Sequence, residues 1–175
     1  MMQRDAETLL DTWFKYYDYL FGFDSLSVFD NRSMNPDVIA TLTKYEALGS
    51  RIYWRFDRVE DFEGKGFHFT NVIRFWDHDL EYDFAIPLDC DEFLAVFTPH
   101  GLSCDRHTIH DYRNGLIGSR EAIGIEWSLY NVPAQPGWFR PELYRKRFFS
   151  SRANFLITVS TSQDREPCPA GARRT

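Results

Sequence analysis

Tyr82-Asp83-Phe84-Ala85-Ile86-Pro87-Leu88-Asp89-Cys90-Asp91-Glu92-Phe93 runs a short apolar stretch straight into three carboxylates. Burying residues 84–88 is favourable, at roughly 25 cal/mol for each Å² of apolar surface removed from water. Burying neighbouring carboxylates without partners is costly. Both demands are met if 82–88 is a strand ending at the carboxyl edge of an open α/β sheet, where such sheets bind ligands. A divalent cation can neutralise the clustered charge there. Hard cations such as Mg²⁺ or Mn²⁺ prefer oxygen ligands, and Mg²⁺ commonly takes one or two carboxylates plus substrate phosphates. Asp89 and Asp91 are therefore the candidate metal ligands. The same acidic pair also suits a turn or a helix cap, so the residues alone leave both readings open.

The chain leading to that stretch alternates. Leu9, Leu10, Trp13, Phe14, Tyr17 and Leu20 recur at helical spacing between a cap at Asp5 and a stop at Gly22. Residues 25–29 predict a short strand that stops at Asp30-Asn31. Asn35-Pro36 opens a second helix, with Val38, Ile39, Leu42, Tyr45 and Leu48 on one face and Gly49 beyond its end. A strand over 51–56, a polar acidic loop over 57–64 and a helix over 67–76 follow. Helix and strand alternating three times imply an α/β fold: a single-domain open, mostly parallel sheet flanked by helices, over residues 1–159. Such a sheet ordinarily opens with a strand, so residues 1–4 are its stub or the strand is missing. Beyond the acidic cluster, 93–97 predicts a short strand. Asp105 caps a helix holding Ile109, Tyr112 and Leu116, 122–129 a strand, 132–141 a Pro/Gly loop, and 146–159 an ordered segment. Residues 160–175, rich in Ser, Pro, Arg and Gly, offer almost nothing to bury and are expected to be a disordered tail.

Composition narrows the function classes. With 175 residues, 43% hydrophobic and 17% aromatic, the chain can build a real core. A net charge of -6 gives no reason to expect a nucleic-acid partner. Cys90, Cys104 and Cys168 lack CxxC spacing, which argues against a disulfide framework or structural zinc and for a reducing compartment. No apolar run approaches the roughly 18 residues of a membrane span, and no secretory signal follows Met1. A cytoplasmic location is expected, with the basic cluster 145–147 open to peripheral association with an anionic membrane. His107 and His110 lie three apart without a further ligand set and read as surface or packing residues. His68 and His78 read as surface residues, and Trp127 as core before sugar platform. Acidic neighbours should raise the Cys90 thiol pKa and disqualify it as a nucleophile.

Arg4-Asp5-Ala6-Glu7 leads into Trp13 and Tyr17, followed by Phe21-Gly22-Phe23-Asp24 and Val28-Phe29-Asp30-Asn31-Arg32-Ser33. Lys65-Gly66, Pro87-Leu88-Asp89-Cys90-Asp91-Glu92-Phe93, Trp127 and Lys146-Arg147-Phe148-Phe149 come later. In this order, over most of residues 4–150, the pieces resemble bacterial family 2-like glycosyltransferases with the Rossmann-like A-type fold of nucleotide-diphospho-sugar transferases. The resemblance implies a metal-dependent enzyme moving a sugar from a nucleotide-sugar donor, expected to be UDP-linked, to a glycan, lipid or protein acceptor. It implies that Mn²⁺ or Mg²⁺ bridges the donor's two phosphates, bound directly by Asp91 and through water or the sugar by Asp89. A Lewis acid there stabilises the charge developing on the leaving nucleoside diphosphate. Asp30 matches the acidic residue that contacts the nucleoside, Lys65 a position beside the diphosphate, and Arg4 the donor-binding start of the motif series. Glu126, beside Trp127, is a candidate general base; Glu92 is a weaker one, better suited to orienting the metal ligands or capping backbone.

Two departures from the family pattern stand out. The first strand is reduced to residues 1–4, and a Gly/His segment expected after Lys-Arg-Phe-Phe gives way to 160–175. The chain is thus expected to be clipped at both ends, which keeps a catalytically incomplete remnant or nucleotide-sugar-binding module as the alternative. A haloacid dehalogenase-type phosphatase also carries Asp-x-Asp after an apolar strand. Its motif places Thr or Val where Phe93 stands here and usually opens the chain, so that reading is disfavoured.

Overall fold

The computed structural model describes residues 1–76, 82–119, 123–136 and 138–150, with the side chains of Glu126, Tyr144, Arg145 and Phe149 outside the description. A two-residue strand β1 (Met2–Gln3) leads into helix α1 (Glu7–Phe21), which buries Leu10, Trp13, Phe14, Tyr17 and Leu20 on one face. Asp5 does not cap it. The cap position is Ala6, whose amide donates to Gln3 Oε1 at 3.0 Å. Asp5 sits at φ 49, outside the extended geometry of a cap, and its carboxylate accepts from the Met34 and Asn35 amides at 2.8 and 2.9 Å.

A short 3₁₀ turn (Phe23–Ser25) delivers strand β2 (Ser27–Asp30), and helix α2 (Pro36–Ala47) follows. The Asn35 side chain accepts from the Asp37 amide at 2.9 Å with proline in the first turn, the start that the sequence predicts. Val38, Leu42 and Tyr45 turn inward, and Tyr45 stacks on Phe14 with ring centroids 4.1 Å apart. Strand β3 (Arg51–Tyr53) completes a three-stranded parallel sheet in the order β1-β2-β3, with Met2 opposite Phe29 and Val28 opposite Ile52. Residues 1–4 therefore do include a strand.

The expected loop over 57–64 contains a short helix, α3 (Val59–Glu63), before α4 (Lys65–Trp76). Asp61 Oδ2 accepts from the Arg58 amide at 3.1 Å, so the stabilising side chain sits inside the helix and not at its start.

The mostly parallel single sheet needs correction. Of residues 82–88, only β4 (Phe84–Ala85) is strand. It pairs antiparallel with β8 (Phe139–Ser150), which pairs antiparallel with β7 (Ile123–Asn131). Pro87 lacks the N–H that would continue a ladder. Strands β5 (Val96–Thr98) and β6 (Gly101–Ser103) form a hairpin turning through Gly101, at φ 117. Helix α5 (Arg106–Asn114) starts at Asp105, whose carboxylate accepts from the Thr108 amide at 2.9 Å; Leu116 lies beyond its end. The described chain is thus mixed α/β: a parallel three-stranded sheet with flanking helices, plus antiparallel strands.

One core joins Leu10, Phe14 and Leu20 of α1 and Leu42 of α2 to Leu88 and Ile109. Trp127 is not part of it. The residue is 48% exposed on the β7–β8 hairpin. His110 packs at the α1–α5 contact, 2.6 Å from the Leu20 carbonyl, while His68 is half-buried beside Asp61 at 3.1 Å. His78, Cys168, residues 151–159 and the expected tail 160–175 lie outside the described residues. No described helix is long and apolar enough to cross a membrane.

Candidate functional site

The acidic cluster forms a tight turn clamped by α1. The Glu92 amide donates to the Asp89 carbonyl at 3.1 Å, and Glu92 Oε2 accepts from the Asp89 amide at 2.7 Å. The Tyr17 hydroxyl donates to the Glu92 carbonyl and accepts from the Leu94 amide, both at 3.0 Å. Tyr16 donates to the Leu94 carbonyl, and both tyrosines contact the Phe93 ring. Burial pushes both tyrosine pKa values up, so the hydroxyls remain neutral donors. Tyr17, placed by the sequence on the apolar face of α1, and its neighbour Tyr16 thus also hold the turn that carries Asp89 and Asp91.

Lys65, the first residue of α4, places Nζ 2.7 Å from Asp89 Oδ1. Lys146, on β8, contacts Glu92 and lies 3.8 Å from Asp89 Oδ2. Burial alone would raise the Asp89 carboxyl. The Lys65 hydrogen bond, the charges of Lys146 and Lys65 and the N-terminal ammonium outweigh it and hold the group below its ordinary value of 3.8. Cys90 goes the other way: burial first, then Asp91 and Asp89, raise its thiol above 9.0, in line with an inert cysteine.

The Met1 ammonium is buried close to this cluster. It donates to the Ser27 carbonyl at 3.0 Å, and burial brings its pKa from 8.0 to about 5.

Of the predicted site residues, Asp89, Lys65 and Glu92 come together. Asp91, two positions beyond Asp89, is exposed. Lys146 was visible in sequence as part of a basic cluster and of the Lys146-Arg147-Phe148-Phe149 element; its pairing with Glu92, 54 positions earlier, has no local signature.

Asp30 and Arg4 belong to a different network at the ends of β1 and β2. Buried Asp30 accepts from Gln3 Nε2 at 2.5 Å, Ser33 Oγ at 2.6 Å and the Ser33 amide at 3.0 Å. Exposed Arg4 donates through Nε to the Asn31 carbonyl at 2.7 Å. Asn31 Nδ2 donates to the Phe56 and Arg58 carbonyls, each at 2.7 Å, tying the end of β2 to the chain after β3. Glu126 falls at the register irregularity between Ile125 and Trp127, and its side chain lies outside the described residues.

Among the described residues, no group of three or more His, Cys, Asp or Glu is arranged to hold a metal. With Asp89 turned to Lys65, the acid that fits a cation is Asp91. One carboxylate completed by phosphate oxygens and water is a donor set that Mg²⁺ accepts. Two ammonium groups converge on the turn, but each is paired with one of its carboxylates. A cavity of about 300 Å³ lies elsewhere, lined by residues of α1, α4, β2 and 82–88, and none of Asp30, Lys65, Asp89 and Asp91 borders it. No family model, curated protein or solved structure matches the chain.

Proposed function

We propose that the protein is a metal-dependent glycosyltransferase, taking a sugar from a nucleotide-sugar to a glycan, lipid or protein acceptor, on a Rossmann-like A-type fold. The observation that carries this reading is the Lys65–Asp89 pair at the start of α4, on a turn that leaves Asp91 exposed. Lys65 and Lys146 offer compact point charges to the donor's diphosphate, and Asp89 fixes where the Lys65 ammonium stands. Asp91 would hold Mn²⁺ or Mg²⁺, which supplies Lewis-acid stabilisation of the leaving phosphates when bound. Asp30 and Arg4, at the carboxyl end of the parallel strands, border the region expected to receive the nucleoside. The free thiols Cys90 and Cys104 support a reducing, cytoplasmic setting.

A second reading, a nucleotide-sugar-binding module without turnover, is favoured by one observation: Asp89 already has a lysine for a partner. Calorimetry with UDP-sugars and Mn²⁺ tests both. Binding lost in Asp91→Ala, together with sugar transfer by the unaltered chain, supports the enzyme. Binding without transfer supports the module. A folded protein that binds no nucleotide-sugar refutes both.

A further inference from the structure

The two faces of the β7–β8 hairpin differ. From Trp127 to Asn131 the register is unbroken: Trp127 opposes Leu143, Leu129 opposes Pro141 and Asn131 opposes Phe139. Directly opposed residues point to one side of a ladder, and alternate residues along a strand return to it. One face therefore carries Trp127, Leu129, Phe139, Pro141 and Leu143, with Asn131 at its far end. The other carries Ser128, Tyr130, Arg140 and Glu142, with Arg140 paired to Glu142. The apolar face lies open to water: Trp127 is 48% exposed, Phe139 51% and Leu143 73%.

The same face runs back to the acidic turn. Two residues before Trp127, Ile125 opposes Lys146, and Ile123 opposes buried Phe148. The register shift between Ile125 and Trp127 puts the extra residue on β8, so β7 keeps its alternation across it. Lys146 contacts Glu92 and stands 3.8 Å from Asp89 Oδ2. Trp127 thus lies about 7 Å along the strand from the level of the lysine that reaches the turn. From Trp127 to the level of Phe139 the face continues outward for about 14 Å.

Size and charge select the occupant. Taking roughly 150–250 Å² for a large side chain, the exposed parts of Trp127, Phe139 and Leu143 come to about 300–400 Å². That is the size of a functional patch on a monomer, and under half of the roughly 800 Å² per partner of a stable protein interface. An anionic membrane calls for unpaired cations beside the apolar patch, whereas Arg140 and Lys146 are held by Glu142 and Glu92. A sugar ring suits the face: the C–H groups of a pyranose meet the negative face of an aromatic ring, while its hydroxyls stay in water. We propose, building on the transferase reading, that this face is the acceptor platform and that the acceptor is an oligosaccharide, with one ring on Trp127 and another further out on Phe139. The Trp127 end adjoins Lys146 and the acidic turn, so the sugar held there is the one that receives the new residue.

The test places the full chain on a glycan array and titrates the oligosaccharide it retains by calorimetry. Trp127→Leu and Phe139→Leu keep each position apolar and remove the ring, so each should weaken oligosaccharide binding about tenfold. Trp127→Tyr should restore most of it, and Tyr130→Ala, on the opposite face, should leave it unchanged. Nucleotide-sugar binding should be the same in all four variants. An array that retains no glycan, or binding that survives both leucine substitutions, overturns the platform; if nucleotide-sugar still binds, the transferase reading stands without it. Glycan binding by a chain that binds no nucleotide-sugar ends the acceptor role along with that reading. Co-sedimentation with vesicles of phosphatidylcholine and phosphatidylglycerol, or dimerisation, that persists in Trp127→Leu and is lost in Trp127→Ser assigns the face to lipid or to a second copy, and also overturns the proposal.

Discussion

Neutralising the Met1 nitrogen should stabilise the protein most at acidic pH. The ammonium ordinarily titrates at 8.0, and in the folded chain burial, reinforced by Lys146 and Lys65 and opposed by Asp89 and Glu92, brings it to about 5. The unfolded chain therefore binds the proton more tightly than the folded one. Below pH 5 both states carry the charge and the folded state bears the full penalty. Between pH 5 and pH 8 the unfolded state alone is charged, so stability rises with pH; above pH 8 both are neutral. At about 1.4 kcal/mol for each pH unit, the rise across this window is roughly 4 kcal/mol. Nα-acetylation removes the titration, and the cavity beside Met1 has room for the acetyl group. Urea denaturation of the free and acetylated chains at pH 5, 6, 7 and 8 isolates the effect, because every other titrating group is shared. The acetylated chain should lead by several kcal/mol at pH 5, and its lead should shrink towards pH 8. Parallel stability curves for the two forms would refute the burial of this nitrogen.

Three further outcomes follow from contacts at and around the site. Tyr17→Phe removes the two hydrogen bonds that Tyr17 makes to the acidic turn, leaving the Glu92 carbonyl and Leu94 amide without them, so unfolding free energy should fall by roughly 2 kcal/mol in urea titrations. Nucleotide-sugar affinity should fall with it, since the turn carries Asp91. Lys65→Met should weaken nucleotide-sugar binding about tenfold in calorimetry. It should also let the Asp89 carboxyl rise: folded Asp89 now titrates below 3.8, so its contribution is present above that value and fades as pH falls through the folded one. The stability loss below about pH 4 should therefore be shallower in the variant. Asn35→Ala removes the cap of α2 and should cost about 1 kcal/mol by thermal melting, without altering ligand binding.

The parts of this fold legible in the sequence are those whose cause is local. The spacing of Leu10, Trp13, Phe14, Tyr17 and Leu20 marks α1, the Asn35-Pro36 pair marks the start of α2, and Asp105 marks that of α5. Asp5 misled because Asp serves helix caps and also tolerates left-handed backbone, and the Met34 and Asn35 amides decide between the two. The α3 helix was hidden because Arg58 stands at its cap position, where no sequence rule expects a helix to begin. The apolar run 84–88 read as one strand of a parallel sheet, yet its short ladder is with residues 149 and 150, and nothing in the run itself names an antiparallel partner so far along the chain. Trp127 read as core because aromatic residues in a strand usually face one; on the β7–β8 hairpin it is about half exposed.

The candidate site divides along the same line. Asp89 and Asp91 stand out as adjacent charges after an apolar run, and Lys65 as the opening of a helix. Their charge balance is a property of the assembled fold. Lys65 and Lys146 match Asp89 and Glu92 one for one, so the turn without ligand is neutral apart from exposed Asp91. A diphosphate arriving there competes with two carboxylates for the same ammonium groups, and the lysines cannot supply full neutralisation while those pairs persist. A cation on Asp91 would provide the positive charge that the lysines have already committed. Phosphate binding should therefore depend on the metal more strongly than the presence of two lysines alone would suggest.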